Sequence, residues 1–358
     1  MTPRHPYVGL PNRQFWKNDP GIANHADFDP VSDAPFRIST EDKIVTAGSC
    51  FAQHLARNLT ESGYNHFITE PAHPIFSPKI AGEFNYGLFS ARYGNVYTAR
   101  QFLQLLHRAF GLFEPVTESW PSGEGASVVD PFRPQIQPGG FVSVEELRFD
   151  RDQHFAAIRR AVCEMDVLVF TLGLTESWQD CRDGAVFPLA PGVAGGVYDP
   201  AIYRFVNFDE QETAADLRAA LDFVREQNPK VRILLTVSPV PLNATWENRH
   251  VVSSTTWSKA VLRIAAEKVV RALSDCVYFP SYEVITAPQV RGKYFGADAR
   301  EVRPEGVAHV MRLFFRYFGS DTRVPEEVRP SPPAADTHIE SMERSMAILC
   351  DEEAIRNR

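Results

Sequence analysis

The residue best placed to do chemistry is Cys50, which stands between a short apolar strand and the start of a helix. The strand covers residues 43–48 and ends in glycine, and apolar residues recur with helical spacing over residues 51–62. Backbone N–H groups and the helix dipole at such a turn favour a thiolate, and they can also hold an oxyanion during acyl transfer. A small buried residue that packs the turn is the alternative interpretation, because free cysteines are commonly buried and inert.

Other candidates lie where further strands end. Thr175 and Glu176 follow the apolar run 166–173, and the loop over residues 238–253 contains His250. His250 is a hypothetical proton acceptor, with an ordinary surface histidine as the alternative. Glu176 could orient His250, bind substrate or cap the segment that follows it. His73, in the irregular stretch 71–100, could line the pocket from a long loop.

The element pattern predicts an α/β fold in which strands and helices alternate along the chain. Strands are predicted at residues 43–48, 65–69, 166–173, 231–237 and 277–279, and helices at 51–62, 98–110, 144–163, 211–227, 254–273 and 304–318. Right-handed crossovers and five parallel strands favour the order 2-1-3-4-5. Ligands of such sheets bind beyond the carboxyl ends of the strands, which is where Cys50 and Thr175 lie.

Composition divides the chain into three parts. Residues 1–40 are rich in Pro, Asn and Asp and are predicted to form an arm that wraps the domain. The domain covers residues 41–320, and residues 321–358 form a tail in which a helix is possible over 336–355. That tail could contact a partner or a second copy, so a homo-oligomer is possible.

Bulk properties exclude several classes of protein. Of 358 residues 44% are apolar, the net charge is -8, and no apolar run of about 18 residues predicts a membrane span. The N-terminus lacks the apolar core of a secretory signal, which makes a cytoplasmic location the expectation. Acidity argues against nucleic acid as a partner. Five dispersed cysteines argue against disulfides and zinc, and neither a metal site nor a nucleotide cofactor motif is found.

A family resemblance becomes visible in five ordered stretches. They are Thr46-Ala-Gly-Ser-Cys-Phe-Ala52, Asn85-Tyr-Gly-Leu-Phe-Ser-Ala-Arg-Tyr-Gly-Asn95, Phe170-Thr-Leu-Gly-Leu-Thr-Glu-Ser-Trp178, Leu235-Thr-Val-Ser-Pro-Val-Pro-Leu242 and Tyr278-Phe-Pro-Ser-Tyr-Glu283. Together they resemble the GSCFA family, which belongs to the SGNH/GDSL-like hydrolase clan. The resemblance implies a flavodoxin-like three-layer sandwich of the SGNH-hydrolase type.

The resemblance also implies roles for individual residues. Cys50, after Ser49, stands in the place of the clan's nucleophilic serine. Gly94 beside Asn95, with Gly87 as a rival, corresponds to the oxyanion glycine. Thr175 replaces the oxyanion asparagine, and its hydroxyl can still donate one hydrogen bond.

The clan's proton-transfer pair departs most from its pattern. The aspartate is retained as Asp298, whereas the histidine three positions later is replaced by Glu301. A carboxylate can act as a base only if its pKa suits the task, although a thiol needs less help than a hydroxyl. Either the Asp298/Glu301 pair or His250 is expected to handle protons.

The expected function is that of an acyl hydrolase or O-acyltransferase that acts on an ester or thioester. Its substrate would be a small-molecule or carbohydrate ester, and no cofactor is needed unless a transferase uses an acyl donor such as acyl-CoA. The alternative is a binding protein with the same fold that has lost catalysis, because several catalytic blocks depart from the clan pattern.

Overall fold

The computed structural model describes residues 5–32, 34–123, 126–320 and 350–355. Its strands are β1 (Ile44–Gly48), β2 (Trp120–Pro121), β3 (Val128–Val129), β4 (Val167–Leu172), β5 (Glu176–Asp180), β6 (Val186–Phe187), β7 (Tyr203–Asn207), β8 (Arg232–Val237) and β9 (Cys276–Tyr278). Its helices are α1 (Phe51–Glu61), α2 (Pro78–Glu83), α3 (Ala99–Ala109), α4 (Val144–Glu164), α5 (Glu210–Gln227), α6 (Val251–Ala272), α7 (Ser281–Thr286) and α8 (Pro304–Phe318).

The main sheet contains four parallel strands in the order β1-β4-β8-β9. Ile44 on β1 pairs with Val167 on β4, and Val167 pairs with Arg232 on β8. The first residues of these three strands are therefore in register. All residues of β1 and β4 are buried, as expected for strands covered on both faces. Their carboxyl ends therefore meet at one edge, beside Gly48.

Helices cover both faces of this sheet because successive strand residues point in opposite directions. Val45 and Phe170 pack on one face, in a cluster with residues of α3 to α6. Ile44 and Val169 pack on the other, with residues of α1, α7 and α8. The predicted α/β architecture with a parallel sheet is confirmed.

The predicted five-strand order is not confirmed, since residues 65–69 contribute only an isolated bridge between His66 and Ile44. The Ile44 N–H donates to the Asn65 carbonyl, and the Ile44 carbonyl accepts from the Phe67 N–H. The ladder then stops, because the Thr46 N–H donates to Ser90 Oγ rather than to a main-chain carbonyl. A side chain thus takes the hydrogen bond that a second strand would need.

Two small antiparallel sheets were not predicted. The strands β6-β5-β7 form a three-stranded sheet directly after β4, and β2 pairs with β3 between α3 and α4. These strands are short and their residues are mixed in polarity, so neither polar–apolar alternation nor an apolar run marks them in the sequence. The three-stranded sheet carries Glu176 and Trp178 at the edge where β4 ends.

Residues 28–38 and residues 350–355 both pack on the body. Phe28 and Val31 are buried with α8, and Ile38 forms a bridge with Gly319. Most of the predicted tail helix lies outside the described residues. The described end, residues 350–355, forms a short 3-10 helix over Asp351–Ala354 and lies against the carboxyl edge of the sheet. Among the described residues, we find no helix long and apolar enough to cross a membrane.

Candidate functional site

The turn between β1 and α1 brings the Cys50 sulfur to the carboxyl edge of the sheet. Gly48 has a φ of 130°, where a side chain would collide with the Thr171 carbonyl on the neighbouring strand. Ser49 N–H donates to that same carbonyl over 3.1 Å. Cys50 then takes the N-cap position of α1. The glycine and the ladder to β4 therefore determine where the thiol lies.

Residues 94–97 form the second wall of the site. Val96 N–H donates to the Gly48 carbonyl over 2.8 Å, and the Tyr97 carbonyl accepts from the N–H of both Gly173 and Leu174. These bonds join the segment to the ends of β1 and β4. Gly94 has a φ of 66°, and Gly94 and Asn95 line a small cavity together with Asp351.

The C-terminal segment, which we define as residues 350–355, covers Cys50. The two thiols of Cys50 and Cys350 are hydrogen-bonded, and they are only 5% and 7% exposed. Asn95 Nδ2 donates to Asp351 Oδ2 over 3.0 Å, and the Tyr97 hydroxyl accepts from the Asp351 N–H. The nucleophile candidate is thus closed off by the chain's own end.

Arg300 joins the C-terminal segment to the body. Its Nη2 lies 3.4 Å from Cys350 Sγ and 3.2 Å from Glu352 Oε2, while its Nε donates to the Pro241 carbonyl. Asn243 donates from its backbone N–H to Glu352 Oε1 over 3.2 Å. Glu352 is therefore a buried carboxylate held by a guanidinium and a main-chain donor.

Lys259, on α6, is buried close enough to Cys50 and Glu352 to feel their charges. Its side chain is 1% exposed, and Nζ donates to the Gly173 carbonyl over 2.7 Å. Burial lowers the pKa of Lys259 to about 8, against the attraction of Glu352 and Cys50. We use the name Cys50 cleft for the part of the body that the C-terminal segment covers, which includes Cys50, Asn95, Asn243, Lys259 and Arg300.

The closed arrangement makes Cys50 a thiol and favours the thiolate of Cys350. The hydrogen bond to Cys350, followed by burial, raises the pKa of Cys50 well above its usual range. The hydrogen bond from Cys50 lowers the pKa of Cys350, and Arg300 acts in the same direction. Burial raises the pKa of Asp351 to about 6 and also raises that of Glu352.

An aromatic cavity of about 220 Å³ adjoins the cleft, and Glu352 and Ile355 form part of its wall. Trp178 and Trp246 lie with ring centroids 5.2 Å apart at an interplanar angle of 68°. Glu176 accepts from Thr245 Oγ1 over 2.6 Å and from the Trp246 N–H. Glu176 thereby holds the loop that carries Trp246 against β5.

The other predicted residues close to the strand ends have partners away from the thiol. The Thr175 hydroxyl donates to Asn207 Oδ1 over 2.7 Å, so its one hydrogen is already engaged. Ser49 is buried, and its hydroxyl has no hydrogen-bond partner among the described residues. The structure thus brings Cys50, Ser49, Gly94 and Asn95 together, with Glu176 at the adjoining cavity.

The four predicted proton-transfer or pocket residues on loops are all exposed. His250 caps α6 by accepting from the Val252 N–H, and His73 accepts from the Ile75 N–H. Asp298 Oδ1 accepts from the N–H of Arg300 and Glu301, which shapes the loop. Between these two carboxylates, Arg300 is the side chain that reaches the thiols.

The charged groups of the cleft were not expected from the sequence motifs. Arg300, Asn243 and Tyr97 carry no motif of their own, and Cys350 and Glu352 lie about 300 residues from Cys50 in the chain. The only available signal was the polarity of loops that follow β8 and β9. Within the described ranges, no group of three or more His, Cys, Asp or Glu side chains could hold a metal ion.

Comparisons with known proteins place the chain in a family. One similar solved structure is a carbohydrate esterase family 2 enzyme with its carbohydrate-binding domain, from Corynascus thermopiles (Myceliophthora fergusii). The identity is 14% and the TM-score 0.26, and the match covers 71% of this chain but only 59% of that one. No curated protein matches the chain. The GSCFA family model matches residues 43–314, and the chain belongs to the GSCFA family.

Proposed function

We propose that this protein is an SGNH-like acyl hydrolase or O-acyltransferase in which Cys50 attacks an ester or thioester. The observation that carries the proposal is the polar surrounding of the Cys50 sulfur, which meets Cys350 and feels the charges of Arg300 and Glu352. A structural cysteine would be expected to pack against hydrocarbon. Membership of the GSCFA family supports the same assignment.

Movement of the C-terminal segment would activate the thiol. The segment supplies Cys350 and Glu352, both of which raise the pKa of Cys50, whereas Arg300 lowers it. Without the segment, water, Arg300 and the amino end of α1 would all favour the thiolate. The proposed site therefore needs no histidine to generate its nucleophile.

The reaction would proceed through a covalent acyl-enzyme. The thiolate attacks the carbonyl carbon, a C–S bond forms, and the alcohol or thiol leaves after taking up a proton from water. Water or an acceptor hydroxyl then attacks the thioester, loses its proton and releases Cys50 as a thiolate. An acyl donor such as acyl-CoA would supply the acyl group if the acceptor is an alcohol.

Two hydrogen-bond donors are proposed to hold the oxyanion: the backbone N–H of Cys50 and the side-chain amide of Asn95. The support is that Asn95 Nδ2 already donates to a negatively charged oxygen, Asp351 Oδ2, at 3.0 Å. Preorganised donors of this kind stabilise charge that develops in the transition state. The aromatic cavity beside the cleft would take the acyl or sugar part of a small-molecule or carbohydrate ester.

The second candidate function is binding without catalysis. It is favoured by the exposed positions of His250, Asp298 and Glu301, the candidates for proton transfer, since the side chains of His250 and Asp298 accept from backbone N–H groups nearby in the chain. In that case the cleft would hold a ligand and Cys50 would form no covalent bond with it.

Acyl trapping separates the two functions. The full chain is mixed with 4-nitrophenyl acetate, quenched in acid and mapped by mass spectrometry, both as wild type and as Cys350→Ala. We expect an acetyl group on the Cys50 peptide, faster in Cys350→Ala, and none in Cys50→Ala. The buried Cys276 provides the matched control, because Cys276→Ala should leave trapping unchanged. Absence of acetyl-Cys50 in both proteins would favour the binding function.

A further inference from the structure

The two sides of the closed cleft have opposite chemistry. The body contributes cations and donors: Arg300, Lys259, the Asn95 amide and the Asn243 N–H. The C-terminal segment contributes the acceptors, chiefly the Asp351 and Glu352 carboxylates. Asn243 Nδ2 also donates to the Glu352 main-chain carbonyl over 2.8 Å. The cleft is therefore shaped to receive negative charge.

The cations are held in place by the body itself. Arg300 is anchored through its Nε by the Pro241 carbonyl, and Asp298 holds its backbone N–H. Lys259 is anchored by the Gly173 carbonyl. Within the described part of the chain, both ion pairs of Arg300 go to the C-terminal segment, to Glu352 and to the exposed Glu353. If the C-terminal segment left, Arg300 and Lys259 would stay in position without a carboxylate beside them.

We propose that the Cys50 cleft is a carboxylate-binding site, and that Glu352 occupies it as a built-in substrate mimic. The inference rests on the proposed function in one respect: the ester or thioester attacked by Cys50 carries a carboxylate that replaces Glu352 at Arg300. Glu352 presents one oxygen to Arg300 Nη2 and the other to Asn243 N–H, each at 3.2 Å. Two donors aimed at two oxygens match the fork of a carboxylate.

Two alkylating reagents of equal size test this charge preference. Iodoacetate is anionic and iodoacetamide neutral, and each alkylates a thiolate by the same displacement. The sulfur attacks the CH2 carbon, a C–S bond forms, and iodide leaves. The exposed Cys163 and Cys181 serve as internal references for the intrinsic reactivity of the two reagents. Peptide mapping of the full chain gives a rate for each cysteine separately.

Glu352→Gln and Arg300→Gln both remove the buried ion pair, but only Glu352→Gln keeps the guanidinium. Loss of one charge-assisted bond should accelerate Cys50 alkylation by about tenfold or more in each variant. In Glu352→Gln, the iodoacetate-to-iodoacetamide ratio at Cys50 should exceed the ratio at Cys163 by about tenfold. In Arg300→Gln, the iodoacetate-to-iodoacetamide ratio at Cys50 should fall towards the ratio at Cys163. Glu353→Gln is the matched control and should leave Cys50 as slow as in wild type.

The outcomes separate this inference from the proposed function. Rapid alkylation of Cys50 with the same reagent ratio in both variants would overturn the carboxylate site and leave Cys50 as a nucleophile. Absence of alkylation in both folded variants would overturn the segment as the cover, together with the catalytic role of Cys50. A preference for iodoacetate in Glu352→Gln alone supports the carboxylate site.

Discussion

This protein contains two groups of buried charges, and the pKa values of their carboxylates are shifted in opposite directions. The first, which we call the central network, joins Glu70, Arg92, Asp130, Arg133, Asp150 and His154. Although burial would raise it, the pKa of Glu70 is lowered to about 2 by His154 and Arg133. In the Cys50 cleft, burial prevails, and the pKa of Asp351 is raised to about 6.

The difference follows from which part of the chain supplies the carboxylates and their charged partners. In the central network, Arg133 pairs with Asp130 at 3.0 Å and Asp150 at 2.8 Å, all from one stretch of the body. In the cleft, the carboxylates come from the C-terminal segment, which lies far beyond α8 in the chain, and their charged partner Arg300 comes from the body. Well-compensated carboxylates stabilise the fold, whereas carboxylates that are buried at a cost make closure reversible. The comparison favours a structural role for the central network, and it supports the proposal that the C-terminal segment is a cover that can be released.

The largest expected effect comes from breaking the central network. Arg133→Met leaves Asp130 buried without its nearest partner, and we expect a loss of about 3–5 kcal/mol in the free energy of unfolding. Urea denaturation measures it. The control is Arg148→Met, whose pair with Glu118 is exposed, and which should lose far less. Equal losses in the two variants would contradict the structural role.

The pH dependence of closure comes next in size. The pKa of Asp351 is about 6 when the cleft is closed, against an ordinary value of 3.8 when the segment is free. The closed form therefore holds the proton more tightly, so the contribution of Asp351 to closure is fully present below about pH 4 and is lost as the pH rises to about 6. The contribution of Asp351 to the free energy of closure amounts to about 3 kcal/mol in total. Between pH 5 and pH 7, its loss corresponds to about a tenfold rise in the equilibrium constant for opening.

The matching measurement compares wild type with Asp351→Asn, which cannot titrate. The Asp351 carboxyl faces Asn95 and Tyr97, with Glu352 beside it and Arg300 and Lys259 across the cleft, and all of these are the same in both proteins. Alkylation of Cys50 relative to that variant should rise about tenfold from pH 5 to 7. A ratio that stays flat would show that Asp351 is not buried in the closed state.

Arg300→Gln should affect the stability of the body much less than Arg133→Met does. Glu352 loses its partner, but the C-terminal segment can move into water and carry the carboxylate with it. We expect a change of less than about 1 kcal/mol in urea unfolding, together with faster Cys50 alkylation. A loss as large as that of Arg133→Met would make the cleft a second structural network and remove the contrast.

Glu353→Gln should have the smallest effect. Glu353 is 69% exposed and lies 3.9 Å from Arg300 Nη1, so its ion pair is worth less than about 1 kcal/mol. Cys50 alkylation should stay within about twofold of wild type. If this variant opens the cleft as Glu352→Gln does, the total charge of the segment and not the buried contact controls closure.

Much of the frame of the site was predictable from sequence. The apolar runs that became β1 and β4 indicate buried parallel strands, and Gly48 marks the tight turn after the first. That pattern was enough to put Cys50 at the edge of the sheet. The second predicted strand failed for a reason no periodicity reveals, since the Ser90 hydroxyl takes the Thr46 N–H.

The residues around the thiol were much less predictable. Arg300 and Glu301 are neighbours in the sequence and equally polar, yet only Arg300 is directed to the cleft, because Asp298 accepts the N–H bonds that shape this loop. Lys259 resembles any lysine on an amphipathic helix until the packing of α6 against the sheet brings its Nζ to the Gly173 carbonyl and buries it. Such outcomes depend on which elements meet, and loop polarity alone does not distinguish them.

The sequence by itself determined the layered α/β frame and the position of Cys50, because hydrophobic periodicity and a glycine turn act over a few neighbouring residues. Only the tertiary structure decided that Cys350, Asp351 and Glu352 cover that thiol and that Arg300 and Lys259 face them. Contacts between groups about 50 to 300 residues apart depend on packing and on charge complementarity in three dimensions. Local sequence patterns carry no record of either.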